Sequence, residues 1–96
     1  MTPISMTPWG KVQTQREVTE GITWVTTAGH GGIVLSDARL REMPTQYKRL
    51  NVYGQGRYFE EDCEWALVVD AFPQYFSCES VRVAKETIER YYPSFV

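Results

Sequence analysis

The sequence predicts an α+β domain: a small antiparallel sheet of about three strands, with two main helices packed on one face. Three observations predict it. Residues 22–28, "ITWVTTA", are dense in β-branched and aromatic side chains, which favour strands. A glycine-rich break, "GHGG" at 29–32, separates that run from "IVL" and suits a tight reversal. Beyond residue 60 the apolar residues adopt helical spacing. Strands followed by helices, without βαβ spacing, indicate helices on one side of an antiparallel sheet.

The elements follow in order. Residues 1–10 hold Pro3, Pro8 and Gly10 and read as an extended or irregular arm. Trp9 should anchor the arm, because an indole is costly to leave in water. "KVQTQREV" (11–18) alternates loosely and fits an edge strand, and "EG" (20–21) is a turn signal. In the next strand Ile22, Trp24 and Thr26 point one way and Thr23, Val25 and Thr27 the other. "GIVL" (32–35) is the third strand. Ser36 is placed to cap a helix, with Asp37 in its favourable first turn. "DARLREM" should stop at Met43, before Pro44. Thr45 opens a second short turn, "QYKRL", and "NVYGQGRYF" (51–59) reads as a loop or short strand.

Two longer helices are expected to close the chain. "EEDCEWALVVDAF" (60–72) begins with three acids, as a helix N-terminus favours. Trp65, Val68, Val69 and Phe72 then fall on one stripe, and Pro73 ends or kinks the helix. Ser77 or Ser80 caps the last helix, which runs to about Tyr91 and stops before Pro93. Its inner face is expected to be Val81, Ala84, Ile88 and Tyr91, with Glu86 and Arg90 an outward pair. Trp24, Trp65, Val68, Phe72 and Ile88 are the expected core.

Ninety-six residues make a single domain, spanning 1–96. Hydrophobic residues at 43% supply a real core, so the chain is not disordered. Ten basic against twelve acidic side chains leave a net charge of −2. That disfavours direct nucleic-acid binding, which needs clustered Lys and Arg, and also an anionic membrane surface. No apolar run approaches the roughly 20 residues of a membrane span. "MTPISMTPWGK" does not read as a secretory leader, so a cytoplasmic protein is expected by elimination. Cys63 and Cys78 form no C-x-x-C pair and are expected as reduced thiols. With a lone His they are too few for structural zinc, and no cofactor or metal is expected.

Two stretches could carry chemistry. His30 is the only histidine. It can serve as acid, base or ligand, or simply occupy a glycine turn and bond neighbouring backbone. No nucleophile motif such as G-x-S-x-G accompanies it. "YFEEDCEW" (58–65) holds Glu60, Glu61, Asp62 and Glu64. On a helix, Glu60 and Glu64 would share a face. These acids could favour a helix start, present a negative patch to a basic partner, bind Mg²⁺, or do general acid–base work with His30. "YGQG" (53–56) lacks the Lys and frame of a phosphate loop. The aromatics of "YYPSFV" either cap the core or join an interface.

Four segments carry a resemblance: "TPWG" (7–10), "GITWVTTAGHGGIVLS" (21–36), "GQGRYFEEDCEWALVVDAFP" (54–73) and "YYP" (91–93). They resemble a small bacterial domain-of-unknown-function family found in phage, plasmid and other mobile-element proteins. The resemblance covers most of the chain and brings no catalytic role. His30, Gly31, Gly32, Ser36, Glu60, Glu61, Asp62 and Trp65 match its pattern. It implies a mobile-element protein, and small acidic phage proteins, anti-CRISPR proteins among them, are similar in size and charge.

The expected function is therefore a non-enzymatic inhibitor that binds a host defence protein, possibly a CRISPR effector subunit, and occludes a nucleic-acid-binding surface. Glu60, Glu61, Asp62, Glu64 and His30 are the expected contact residues. The alternative is a small enzyme or metal-dependent hydrolase module using His30 with Glu61 or Asp62.

Overall fold

The computed structural model describes residues 4–48 and 56–95. The β-branched runs form strands β3 (Thr14–Thr19), β4 (Ile22–Thr26) and β5 (Gly31–Leu35), and a fourth, β6, covers Tyr58–Glu60. They make one antiparallel sheet in the order β3-β4-β5-β6. Of the two expectations for the arm, the extended one holds in its described residues. Its strands β1 (Met6–Thr7) and β2 (Gly10–Lys11) pair as a separate hairpin. The helices are α1 (Asp37–Glu42), α2 (Thr45–Lys48), α3 (Trp65–Ala71) and α4 (Cys78–Tyr91). The α+β class stands. The expected three strands and two helices become, among the described residues, sheets of two and four strands with four α-helices.

Each boundary has a local cause. Ser36 accepts the Arg39 amide at 3.2 Å and caps α1, and Ser77 accepts the Ser80 amide at 3.0 Å and caps α4. α1 ends at Met43, before Pro44, and α4 stops short of Pro93. The β3–β4 turn needs Gly21, whose φ is +83°. A Cβ there would stand 2.5 Å from Ser36 Oγ and 2.8 Å from Arg39 Cγ, so the turn closes directly on the α1 cap. α2 lies in the expected "QYKRL" region, whose residues 49–50, like 51–55 of the "NVYGQGRYF" stretch, fall outside the described residues.

The main core lies between the sheet and the helices. Ile22, Ile33, Leu35 and Phe59 share one sheet face and cluster with Ala66, Leu67, Val68, Val69 and Phe72, and with Ala84 and Ile88 of α4. Val68, Phe72 and Ile88 are buried as expected. Trp24 and Trp65 are only half-buried; they flank the core, with ring centroids 6.4 Å apart. The opposite sheet face holds the buried Thr23, Val25 and Val34 and carries the N-terminal hairpin. Trp9 lies edge-on to Tyr58 at 5.9 Å and rests on Gly32, where a Cβ would come within 2.7 Å of Trp9 Cη2.

Three further expectations are corrected. The acids at 60–64 do not begin a helix. Glu60 is the last residue of β6, residues 61–64 are turns, and α3 starts only at Trp65. The strand wins because Phe59 is fully buried opposite Ile33. Second, Tyr91 is 55% exposed and Tyr92 turns inward instead, stacking on Phe95 at 6.1 Å with its hydroxyl 3.3 Å from Cys63 Sγ. Both positions are within helical reach of Ile88, and the 3-10 turn Pro93–Phe95 decides which packs. Third, Glu86 is bonded by Arg82, at 2.9 Å, which lies one turn before it where the expected Arg90 lies one turn after.

Candidate functional site

The β4–β5 loop shows why His30 sits where it does. Thr27 N–H donates to the His30 carbonyl at 2.8 Å, and the Thr27 hydroxyl donates to the same oxygen at 2.6 Å. The His30 amide returns a bond to Thr27 Oγ1 at 3.2 Å. Thr27 is buried, and its hydroxyl lies 3.2 Å from the Trp9 carbonyl. A polar side chain thus closes the turn and ties it to the N-terminal hairpin. The His30 residue itself is exposed. It lies in a turn linking two antiparallel strands, as the flanking β-branched runs predict.

Strand pairing brings the acidic stretch to this loop. Gly32 pairs with Glu60, and the Glu61 amide donates to the Gly31 carbonyl at 3.0 Å, extending the ladder by one step. The Glu61 carboxylate lies over Gly31, where a Cβ would stand 3.0 Å from Oε2. Residues 31 and 61, distant in the chain, therefore meet at one end of the sheet, next to His30 in sequence.

The four acids divide into two pairs. Glu60 Oε1 accepts the Asp62 amide at 2.7 Å, and Glu64 Oε1 accepts the Glu60 amide at 3.0 Å. These carboxylates satisfy backbone donors that the turn would otherwise leave unpaired. Glu60 and Glu64 do meet, as expected, but across a turn rather than on a helix face. Glu61 and Asp62 are exposed, and their carboxylates accept no hydrogen bond from a described residue. The first pair builds the turn and the second is presented to solvent.

Burial raises the pKa of Glu64 above the ordinary carboxylate range; the Glu60 charge adds to this and the Glu60 amide opposes it. The folded protein therefore binds this proton more tightly than the unfolded chain does. That stabilisation is present at pH below the ordinary carboxylate range and is lost as pH rises through the folded value. Glu64→Gln keeps an oxygen for the Glu60 amide and removes the titration. Thermal melts from acid to neutral pH should show it no less stable than the parent at pH 7, with a flatter pH profile. A loss above about 1 kcal/mol at neutral pH would contradict the assignment. Nearby, Tyr92 is held well above the usual phenol range by burial first and then by its bond to Cys63.

No three His, Cys, Asp or Glu side chains among the described residues could share a metal ion. Cys63 is half-buried and Cys78 exposed, and both are free. A recess of about 820 Å³ between the β3–β4 turn and α1 is lined by Glu17, Glu20, Arg39 and Glu42 rather than by the expected site residues. A second recess, about 540 Å³, joins Asp62 to Glu86, Arg90 and Tyr91 of α4. No helix of the described residues is long and apolar enough to cross a membrane.

Residues 2–95 match a family defined only as a domain of unknown function, DUF7007. The chain belongs to that family. No curated protein and no solved structure matches it. The segments that carry the resemblance occupy informative places in this DUF7007 domain. "TPWG" supplies the Trp9 latch, "AGHGG" the β4–β5 loop, and "FEEDCEW" the strand and turn beside it. Sequence reasoning named His30, the acids and, as part of the tight reversal, Gly32, but missed the buried Thr27 that closes the loop and the seat that Gly32 gives Trp9. The signal for Thr27 was its place at the end of the "ITWVTT" run, with only Ala28 between it and the glycine-rich break.

Proposed function

We propose that this DUF7007 domain is a non-enzymatic binding protein of a phage or other mobile element. It occludes a basic, nucleic-acid-binding surface of a host defence protein, with a CRISPR effector subunit as the target class. One observation carries the reading: Glu61 and Asp62 are exposed on a turn beside the β4–β5 loop, and their carboxylates accept no hydrogen bond from a described residue. An outward acidic surface on a rigid sheet end suits a Lys/Arg surface. Complementary charge there would speed association more than it would add affinity. The small size and net charge of −2 fit the same class.

The juxtaposition of Glu61 with the His30 loop also serves the second reading, a small hydrolase using His30 with Glu61 or Asp62. The two readings separate on variants. Glu61→Lys with Asp62→Lys reverses the outward charges and leaves Glu60 and Glu64, which hold the turn, in place. Targets captured from a bacterial lysate by the parent should be lost by this variant and kept by His30→Ala. A variant that keeps its melt and captures the same protein equally well removes the acidic turn from the mechanism. If His30→Ala instead abolishes a hydrolytic turnover, the enzyme reading replaces the binding one.

A further inference from the structure

We infer that the N-terminal hairpin is a strap that orders the acidic turn. With Trp9 seated, Glu60 and Glu61 stay in the ladder with β5. With Trp9 lifted, this end of β6 frays together with the His30 loop, while Phe59, α3 and α4 stay packed. The inference deepens the binding reading above, because it assigns the element that holds Glu61 and Asp62 in place. Phe59 fixes β6 in the core, but past it the sheet has little hold. The ladder there consists of the Gly32–Glu60 pair and the bond from the Glu61 amide to the Gly31 carbonyl at 3.0 Å. The Glu60 amide goes to Glu64, 3.0 Å away, and not to the sheet.

Trp9 presses on this end from the face that the core does not reach. A Cβ at Gly32 would meet Trp9 Cη2 at 2.7 Å and Glu60 Cα at 3.0 Å, so the indole tip and the β6 backbone close on the same spot. Tyr58 takes the indole edge-on at 5.9 Å, a geometry that aromatic pairs favour. The hairpin holds the ring there. Buried Thr7 closes its turn, donating to the Gly10 carbonyl at 3.1 Å and accepting the Trp9 amide at 3.1 Å. Yet β1 and β2 form a separate two-stranded sheet of two residues each, so the hairpin can lift as a piece. Besides the ring, the Gln13 amide on the Thr26 carbonyl at 2.8 Å ties it to β4. Thr27 Oγ1 sits between the Trp9 carbonyl at 3.2 Å and the His30 carbonyl at 2.6 Å, and so links the strap to the loop that receives Glu61. A short ladder held by a few side chains opens locally, at lower free energy than core helices.

Amide hydrogen exchange of ¹⁵N-labelled protein tests the strap without a partner, so its failure would leave the binding reading standing. In Trp9→Ala the Glu61 amide should exchange about tenfold or more faster, as the loss of an aromatic anchor allows. Thr27→Val keeps the shape and removes the hydroxyl, and it should speed the same amide. Thr27→Ser should bring it back toward the parent rate. Ala84→Gly weakens α4, on the core side of the sheet, and should speed the α4 amides while leaving Glu61 unchanged. Two results would overturn the inference. One is a Glu61 amide as slow in Trp9→Ala as in the parent. The other is a Glu61 amide sped as much by Ala84→Gly as by Trp9→Ala, since it would then open only with the whole fold. Where Trp9→Ala fails to fold, Thr27→Val and Ala84→Gly make the same comparison. A strap that passes, with partner binding unchanged in Glu61→Lys with Asp62→Lys, keeps this inference and rejects the binding reading.

Discussion

Phe59→Ala is expected to lose about 3–5 kcal/mol of stability, the largest effect of any single substitution considered. Phe59 is fully buried and pairs with Ile33, and its ring belongs to the cluster that joins the sheet to α3 and α4. β6 is only three residues long and has one partner strand. Its backbone bonds are few, so the buried ring is its main attachment. Native domains hold about 5–15 kcal/mol in total, and the variant should be close to unfolded. Phe59→Leu, which keeps most of the volume, should cost under about 1.5 kcal/mol. Urea unfolding of both variants checks this. A Phe59→Ala loss below about 1 kcal/mol would mean that β6 is not anchored as described. Because β6 carries Glu60 and leads into Glu61 and Asp62, a folded but weakened variant should also bind its partner less well.

Gly32→Ala should cost about 1–3 kcal/mol through overpacking rather than through lost contacts. The added methyl would press on the Phe59 carbonyl oxygen, on Glu60 Cα at 3.0 Å and on Trp9 Cη2 at 2.7 Å. The indole can swing away, but the β5–β6 backbone cannot yield without loosening the ladder. Two readouts follow: a lower urea midpoint, and a change in tryptophan fluorescence as Trp9 leaves its seat. The Trp9→Ala variant supplies the cycle. If the indole bears part of the clash, the double variant loses less than the sum of the singles. Full stability with an unchanged spectrum in Gly32→Ala would contradict the packing of the hairpin on this face.

Much of the fold was legible because its signals are local. The β-branched run before "GHGG" and the apolar one after it gave the β4–β5 hairpin. Ser36, Ser77, Pro44 and Pro93 marked helix ends through capping and missing donors. β6 was half legible: "NVYGQGRYF" allowed a short strand, but the acids that follow it read as a helix start for a physical reason. Acids suit a helix N-terminus through the dipole, but they equally suit a turn whose backbone amides need acceptors, and Glu60 and Glu64 serve the turn. Only the burial of Phe59 opposite Ile33, a long-range contact, decides between them. The Tyr91–Tyr92 exchange has the same character, since helical spacing permits either and the Pro93–Phe95 turn selects. The site was half legible. His30 and the acids stood out by type, but their juxtaposition depends on β5 pairing with β6, which no local pattern announces.

Glu61 and Asp62, beside the His30 loop, are the proposed partner-facing surface. The most direct measurement is the association rate with a captured partner, from about 50 to 500 mM salt, for the parent, Glu61→Lys with Asp62→Lys, and His30→Ala. Thermal melts serve as the folding control. Exposed charges are screened beyond about 10 Å at 0.1 M salt and about 3 Å at 1 M. The parent rate should therefore fall steeply with salt. The charge-reversed protein should associate about tenfold or more slowly at low salt and lose that dependence, while His30→Ala tracks the parent. A charge-reversed protein that melts like the parent and associates at the parent's rate at every salt concentration would contradict the claim.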